Sequence, residues 1–328
     1  MTDKLTVSFF PHIRGKITTR SIMLDVIIAL VPAFFASIAI FGPRAALVTG
    51  VCVLACVVFE WLYQKIVKKP HTIGDLTAVI TGILLAFNLP VSIPLWQAVF
   101  GGFVAIILVK QLFGGLGKNF ANPAVTARVV MFLAFSGTMT AWYLPESTPG
   151  WALLYDAITS ATPDALTSAT PLVLLANGDY ASLPSMMDMF LGIRGGSFGE
   201  TSALALILGG LYLLVRKVIT WHIPVSFIGS VAVLSLIAGS FSWEFMLNHV
   251  FAGGLLIGAI FMATDYVTSP QTSKGRLIFG VGCGLLTVII RLFGNYPEGV
   301  SFAILFMNVL VPYVDKLSMT HPLGGKKV

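Results

Sequence analysis

Long apolar runs constrain this chain more than any other feature of its sequence. A helix that crosses a bilayer needs about 20 mostly apolar residues, and runs of roughly that length recur between short polar turns. The predicted spans are residues 22–41, 45–66, 76–90, 95–113, 122–142, 202–219, 224–240, 246–264, 277–293 and 299–315. Apolar residues make up 56% of the chain and charged residues 10%, against about 45–50% and about 25% in soluble domains. The sequence therefore predicts an all-α polytopic integral membrane protein with ten transmembrane helices.

Basic residues are distributed unevenly between the two sides that these spans define. With the N-terminus in the cytoplasm, the outer side receives only Arg44, Arg194 and Arg291 of the 20 lysine and arginine residues. The other seventeen fall on the inner side: Lys4, Arg14, Lys16, Arg20, Lys65, Lys68, Lys69, Lys110, Lys118, Arg128, Arg216, Lys217, Lys274, Arg276, Lys316, Lys326 and Lys327. Since cytoplasmic loops carry the excess of Lys and Arg, both termini are predicted to be cytoplasmic and residues 143–201 extracytoplasmic. The basic residues lie in loops between apolar runs, which does not favour nucleic-acid binding.

The two groups of five spans resemble each other. The third span stops at a proline, which disfavours further helix, and ends in FNLPVSIP, whereas the eighth ends in TDYVTSP. The fourth ends in VKQLFGG and the ninth in IRLFGN. These similarities predict two inverted five-helix repeats, residues 1–142 and 202–328, separated by the loop 143–201. Chance similarity between apolar helices is the alternative.

Side chains that bind metals are scattered along the sequence. The five histidines include no pair at helical spacing, and the three cysteines lie inside apolar runs. The sequence therefore predicts no zinc, haem or iron–sulfur site. Among the charged residues near spans, Asp265 is the candidate for an ion pathway, because it lies at the break of the eighth span beside Thr264 and Thr268. A helix-capping or snorkelling aspartate is the alternative.

The one long polar interval contains the segment Tyr155–Leu172, YDAITSATPDALTSATPL, in which TSATP occurs twice. Runs of small hydroxyl residues closed by proline do not pack a core and leave threonine hydroxyls exposed on a loop. The first copy includes Thr162 and runs into Asp164, whereas the second includes Thr170 and runs into an apolar stretch. Taken alone, the segment is also typical of a linker.

Several sequence blocks give the chain a resemblance to a known family. The blocks are FPHIRGKITTRSIML before the first span, KQLFGGLGKNFANPA at 110–124, GGSFGETSALALILGG at 195–210, WHIPVSF at 221–227, FMATDYVTSP at 261–270 and GRLIFG at 275–280. With the pattern D-x-[I/L]-T-S-A-T-P-L, they resemble the RnfD and NqrB family of membrane electron-transfer subunits. The blocks cover nearly the whole chain, and the length of 328 residues resembles the RnfD branch.

The resemblance implies a covalent flavin. In that family the last threonine of an [S/T]-x-A-T motif carries FMN as a phosphoester on its side-chain oxygen. The better match is Thr170, which is followed by Pro-Leu as in the family pattern, with Ser168 and Ala169 as its neighbours in the motif. The doubled TSATP departs from that pattern and makes Thr162 the alternative attachment residue.

The block GGSFGETS precedes the sixth span and suggests further flavin contacts. Thr201 or Ser202 is expected to cap that helix, and Glu200 complements its positive end. Backbone N–H groups around Gly199, Glu200 and Thr201 are candidates to receive a flavin phosphate or ring edge. A capped membrane helix with a flexible entry is the alternative.

The resemblance also implies a function, as one subunit of an Rnf complex in the bacterial cytoplasmic membrane. Such a complex moves electrons between reduced ferredoxin and NAD and couples this to Na⁺ or H⁺ translocation. The implied partners are a second flavin-bearing subunit, iron–sulfur subunits, membrane lipid and, for maturation, a flavin transferase. The sequence leaves open the coupling ion, the direction of electron flow and whether a second, non-covalent flavin binds. A secondary transporter or channel-like protein without flavin is the alternative, favoured by inverted repeats and interrupted helices.

Overall fold

A computed structural model describes residues 18–142, 169–294 and 298–319, and all regular secondary structure in these ranges is helical. The first half contains α1 (Thr19–Phe41), α2 (Pro43–Ile66), α3 (Thr77–Phe87), α4 (Leu95–Phe103, continued by a π-helix over Val104–Gln111), α5 (Pro123–Ala134) and α6 (Ser136–Met139). The second half contains α7 (Pro171–Ala176), α8 (Met186–Leu191), α9 (Ala203–Val215), α10 (His222–Ala238), α11 (Trp243–Phe251), α12 (Leu255–Ile257, continued by a π-helix over Gly258–Met262), α13 (Ser273–Phe293) and α14 (Val300–Ser318). The all-α prediction is confirmed for this part of the chain.

Several of these helices are suited to a membrane. By length and composition, α1, α2, α13 and α14 can each cross a bilayer. A fifth candidate is the pair formed by α11 and α12 with its π-helical extension, which is bent by 64° at a short break. The other apolar helices, of 10–17 residues, are α3, α4 with its extension, α5, α9 and α10. The chain therefore has the helices of a multi-pass membrane protein, while the count of ten spans stays a prediction.

Two helices end inside the molecule, where asparagine side chains donate hydrogen bonds to their backbone carbonyl groups. The first is α3, after which Asn88 Nδ2 donates to the Leu84 carbonyl oxygen at 2.6 Å and to Met262 Sδ at 3.7 Å. The second is the extension of α12, whose terminal Met262 carbonyl accepts a hydrogen bond from Asn122 Nδ2 at 3.1 Å. Interrupted backbone at membrane depth needs such partners because lipid supplies none. The sequence predicts that the third span stops at Asn88-Leu89-Pro90, and the helix ends at Phe87 with Asn88 as its C-cap.

Arg44 serves the same purpose for the non-helical segment between α3 and α4. Its Nε donates to the Val91 carbonyl at 2.5 Å, and its Nη2 donates to the carbonyls of Ser92 and Ile93, each at 3.1 Å. The side chain is 5% exposed. This arginine, predicted on the outer side, is thus a buried partner for free carbonyl groups.

The two halves present their elements in the same order. In the first half α3 is followed by a non-helical segment and α4, and in the second half α12 is followed by a non-helical segment and α13. Helix α1 packs against α9, α2 against α4, and α10 against α13. One apolar core draws residues from both halves, including Leu30, Phe87, Phe227 and Phe279. This order is the one that the predicted repeats require, and the inversion of one half relative to the other stays a prediction.

The last part of the predicted loop 143–201 packs into this core. Phe198 is 1% exposed, and its ring meets that of Phe87 edge-on at a centroid distance of 6.0 Å. The N–H groups of Phe198 and Gly199 donate to the carbonyls of Leu89 and Phe87 at 3.4 and 3.3 Å. A Cβ atom at position 199 would lie 2.6 Å from Phe87 Cα. Glycine is therefore needed at this position for the close approach to the end of α3.

Candidate functional site

Thr170 begins α7 and is held against the bundle. Its Oγ1 accepts a hydrogen bond from the Val173 N–H at 3.4 Å, as the N-cap of the helix. Pro171, Leu172 and Leu175 of the same helix are buried, which agrees with the apolar anchor expected from the sequence. Thr170 itself is only 5% exposed. The expectation of an exposed hydroxyl is therefore wrong for Thr170, because the apolar side chains that follow draw it inward.

The remaining residues of the two TSATP copies are partly outside the described ranges. Thr162 and Ser168 lie among the residues that the structure does not describe. Attachment at Thr162 and the motif role of Ser168 therefore stay predictions. Ala169 is exposed and directly precedes the buried Thr170.

The block GGSFGETS forms a tight turn that leads into α9. Ser202 caps the helix by accepting from the Ala205 N–H at 3.4 Å, which settles the choice between Thr201 and Ser202 as cap. Thr201 instead donates its hydroxyl to the Phe198 carbonyl at 3.4 Å. Glu200 Oε1 accepts from the Ser197 N–H at 3.2 Å. These contacts fix Glu200 in the interior, where it is 2% exposed.

Glu200 pairs with a buried arginine from another element. Arg128 of α5 places Nη2 at 3.8 Å from Glu200 Oε2 and also pairs with the carboxylate of Glu298. Its Nη1 donates to Asn88 Oδ1 at 2.7 Å and to Ser301 Oγ at 3.2 Å. Glu200 Oε2 has no hydrogen-bond partner in the described part of the chain. Arg128, the buried Glu200 and the partly buried Glu298 therefore form one charged group between α3, α5 and α14.

This contact corrects one step of the topology prediction. The sequence places Arg128 among the seventeen basic residues of the inner side, but it is 4% exposed and pairs with Glu200, a residue of the predicted outer interval. The reason is that Arg128 lies in the second turn of α5, where its long side chain reaches the carboxylates across the bundle. It therefore gives no information about a cytoplasmic loop.

Arg194 lies in the turn between α8 and α9 and donates hydrogen bonds to the backbone at Glu200 and Thr201. Its Nη2 donates to the Glu200 carbonyl at 3.1 Å and its Nε to the Thr201 carbonyl at 3.4 Å. Burial lowers the pKa of Arg194 to about 10, and the nearby Glu200 carboxylate opposes that shift. The side chain therefore remains a cation at neutral pH.

Arg291, near the end of α13, links the charged group to the break between α11 and α12. Its Nη1 donates to the His249 carbonyl at 2.5 Å, its Nη2 to the Ala252 carbonyl at 3.0 Å and its Nε to the Glu298 carbonyl at 3.3 Å. It is 5% exposed. Among the described residues no carboxylate lies within ion-pair distance of its guanidinium.

The glycine pair at this break brings the predicted site residues together. A Cβ atom at Gly253 would lie 2.6 Å from Leu172 Cδ1 of α7 and 3.2 Å from Arg291 Nη2. A Cβ atom at Gly254 would lie 2.8 Å from Glu200 Oε2. The helix that begins at Thr170 and the turn that carries Glu200 therefore pack against the same short segment.

A cavity of about 740 Å³ opens beside α7. Its walls come from α7 and the turn after it, the end of α10, helix α11 and the end of α13. The residues with polar or aromatic side chains that line it are Tyr180, Ser240, Ser242, Glu244, Phe245, Asn248, His249, Arg291 and Phe293. The rings of Phe245 and His249 lie 4.5 Å apart, and His249 Nε2 has no hydrogen-bond partner in the described residues.

Asp265 belongs to a different place in the fold. Its Oδ2 accepts from Thr268 Oγ1 at 3.1 Å and its Oδ1 from the Val267 N–H at 3.3 Å, as a capping aspartate does. It borders a cavity of about 110 Å³ that Lys110, Asn119 and other residues also line. The structure therefore separates Asp265 from the group around Glu200.

Lys110 forms a buried ion pair that the sequence did not reveal. Its Nζ lies 2.8 Å from Glu60 Oε2 of α2, and both side chains are at most 3% exposed. The lysine also donates to Thr77 Oγ1 at 2.7 Å. The available signal was one charge of each sign within neighbouring apolar runs, but hydropathy alone assigned both residues to span ends.

Comparison with known proteins relates nearly the whole chain to one family. A family model described as the NQR2, RnfD, RnfE family matches residues 6–324. The D subunit of a Na⁺-translocating ferredoxin:NAD⁺ oxidoreductase complex from Acetobacterium woodii is 45% identical over 327 residues, which cover 99% of this chain and 96% of that protein. The D subunit of a proton-translocating ferredoxin:NAD⁺ oxidoreductase complex from Clostridium ljungdahlii is 40% identical over 333 residues, covering 98% and 97%. The D subunit of an ion-translocating oxidoreductase complex from Stutzerimonas stutzeri is 39% identical over 327 residues, covering 92% and 91%.

Proposed function

This chain belongs to the NQR2, RnfD, RnfE family, and from that premise we propose that it is the flavin-carrying electron-transfer subunit of an Rnf-type complex. Relatives that match almost its full length are named as D subunits of ion-translocating ferredoxin:NAD⁺ oxidoreductase complexes. The chain is accordingly a membrane subunit of such an oxidoreductase, in which electron transfer is coupled to ion translocation. It acts with other subunits of the complex.

The proposed cofactor is FMN, joined by a phosphoester to Thr170 Oγ1. The observation that carries the assignment is the position of Thr170 at the start of α7, a helix anchored by buried Leu172 and Leu175 next to Arg291. Such an anchor gives a tethered cofactor a fixed place relative to the bundle. FMN accepts or donates one or two electrons, and the protein supplies position and charge.

The other residues predicted for the site have less direct roles around this attachment. Ser168 and Ala169 complete the motif that a flavin transferase would recognise, and Thr162, which is followed by Asp164, is the alternative acceptor. The turn formed by Gly199, Glu200 and Thr201 supports the site because Glu200 pairs with Arg128 and the backbone of the turn accepts hydrogen bonds from Arg194. We do not assign the Glu200 carboxylate to the flavin phosphate, since two anions repel each other in a buried site.

The proposed topology has ten spans in two inverted five-helix repeats, residues 1–142 and 202–328, with both termini in the cytoplasm. The loop 143–201 and the flavin would then be extracytoplasmic. The excess of basic residues on one side and the repeated order of elements support this arrangement. The partners proposed within the membrane are iron–sulfur subunits and a second flavin-bearing subunit, because electrons must enter and leave the FMN.

The proposed ion pathway passes Asp265. Asp265 remains the candidate residue because it borders a cavity with Lys110. The coupling ion does not follow from likeness, since one relative is named for Na⁺ and another for protons at similar identity. Measurement of ion movement by the intact complex with and without Na⁺ would distinguish the two.

Flavin fluorescence of the denatured subunit tests the proposal. In the complex purified from cells that contain the flavin transferase, the subunit band should fluoresce in a denaturing gel. Thr170→Val should remove that fluorescence while the complex still assembles, and Thr162→Val is the matched control that should retain it. Flavin released by acid precipitation would report any second, non-covalent flavin. A dark wild-type band would contradict the proposal and favour a transporter without flavin.

A further inference from the structure

The cavity beside α7 offers a place for a ligand that is attached to the start of the same helix. We infer that this cavity holds the isoalloxazine ring of the flavin bound at Thr170, with the guanidinium of Arg291 against the anionic edge of the ring. The inference rests on the proposed attachment at Thr170, and it adds which residues of this chain hold the ring and set its electronic properties.

The cavity has the size and the distance from Thr170 that this requires. Its volume of about 740 Å³ lies within the ~300–1,000 Å³ typical of small-molecule pockets. It is lined by Leu172, Leu175 and Ala176, which lie roughly 3 to 9 Å from Thr170 along a helix that rises 1.5 Å per residue. An extended chain advances about 1.2 Å per bond, so the phosphate and ribityl arm of FMN reaches the same ~8 Å.

Arg291 gives the cavity a cationic wall. The side chain is 5% exposed and lines the cavity, yet within the described residues its donors bond only to carbonyl oxygens. A buried cation without a carboxylate partner is costly unless a ligand compensates its charge. The Glu200 carboxylate acts on Arg291 electrostatically from beyond ion-pair distance, and it is already within 3.8 Å of Arg128. An anionic ligand edge is therefore the missing partner of Arg291.

The other walls suit an aromatic ring with polar edges. The rings of Phe245 and His249 both line the cavity, with centroids 4.5 Å apart and planes inclined by 57°. Asn248 offers an amide, and His249 Nε2 is a buried nitrogen with no partner in the described part of the protein. Glu244 also lines the cavity, but among the described residues it forms no ion pair with Arg291. Such a lining fits a ring that is apolar on its faces better than a phosphodiester monoanion, which stays at Thr170.

The position of Arg291 has a consequence for the bound flavin. A reduced flavin carries negative charge at the N1 and C2-carbonyl edge of its ring, and a nearby positive charge stabilises that form. Arg291 should therefore raise the midpoint potential of this flavin. Removal of the charge should shift the potential to a more negative value.

The midpoint potential of the intact complex tests this role. Arg291→Met should shift the potential of the Thr170 flavin to a more negative value, with in-gel fluorescence unchanged. The difference spectrum against the Thr170→Val complex isolates this flavin from any other in the complex. The matched control is Arg44→Met, which also removes a buried guanidinium that bonds to backbone carbonyls but does not line the cavity. The control should leave the potential unchanged.

A second pair of variants tests the location of the ring independently of Arg291. Ala176 is exposed and lines the cavity, whereas its neighbour Asn177 is exposed and does not. Ala176→Trp should occupy the cavity, displace the ring and raise the quenching of native flavin fluorescence by iodide. Asn177→Trp should leave the quenching unchanged.

The outcomes separate this inference from the proposed attachment. If the wild-type subunit carries no flavin at Thr170, both fail, and the failure shows as a missing fluorescent band. If attachment is normal but Arg291→Met leaves the potential unchanged, the cavity is not the seat of the ring. If the Arg291→Met complex does not assemble, the tryptophan pair decides, and equal quenching in both variants would overturn the inference.

Discussion

The buried ion pair between Glu60 and Lys110 leads to a prediction about stability. Its atoms are 2.8 Å apart with side chains 1% and 3% exposed, and Thr77, Thr72 and Gln64 complete its hydrogen bonds. Glu60→Gln keeps the size and an acceptor oxygen but leaves Lys110 charged and without its carboxylate. At 2.8 Å and an effective dielectric constant near 20, the lost attraction is about 6 kcal/mol. Experience with broken buried pairs indicates a net loss of about 3–5 kcal/mol.

Thermal stability of the subunit within the detergent-solubilised complex measures this loss. At about 2 °C per kcal/mol for a large domain, Glu60→Gln should lower the apparent midpoint by roughly 6–10 °C. The readout is the amount of epitope-tagged subunit that stays soluble after heating, compared at one heating rate because such unfolding is often irreversible. The double variant Glu60→Gln with Lys110→Met should recover most of the loss, since no charge is then left unpaired.

The control is an ion pair that water already screens. Arg216 and Asp25 lie 3.2 Å apart with side chains 56% and 14% exposed, so Asp25→Asn should lower the midpoint far less. Equal shifts of the midpoint in Glu60→Gln and Asp25→Asn, or a double variant less stable than Glu60→Gln, would show that the buried pair does not stabilise the subunit in this way.

Three further predictions concern topology, ion movement and packing. Asp179→Cys should react with an impermeant thiol reagent added from outside, and labelling only from the cytoplasmic side would contradict the proposed orientation. Asp265→Asn should reduce coupled ion movement more than complex assembly, and normal coupling would leave Asp265 with its capping role alone. Gly199→Ala should destabilise the subunit by about 1–3 kcal/mol, because the added Cβ meets Phe87 backbone 2.6 Å away; an unchanged melting midpoint would contradict this.

Local features of the helices could be predicted from the sequence because they depend on neighbouring residues. The end of α3 before Pro90 follows from the effect of proline on a helix, and a hydroxyl cap of α9 by Thr201 or Ser202 follows from capping chemistry, between which the structure selects Ser202. The apolar runs likewise predicted helix positions to within a few residues, as for α1 and α13. These signals lie within a few positions of one another in the chain.

The buried charges could not be predicted because their partners are distant in sequence. Lys110 pairs with a residue 50 positions earlier, and Arg128 pairs with Glu298, which is 170 positions later. Hydropathy assigns such residues to span ends, since an unpaired charge inside a membrane is costly. Only the packing of several helices shows that the charge is compensated. The burial of Thr170 was missed for a related reason, since it depends on how α7 meets the segment at Gly253.

The most direct test of the account is the mass of the peptides around the two TSATP copies. The subunit is isolated from the intact complex, digested, and its peptides are sequenced by mass spectrometry under conditions that preserve phosphoesters. We predict the mass increment of FMN on Thr170 and unmodified Thr162. An FMN increment on Thr162, or unmodified peptides at both positions in a complex that transfers electrons, would contradict the central claim.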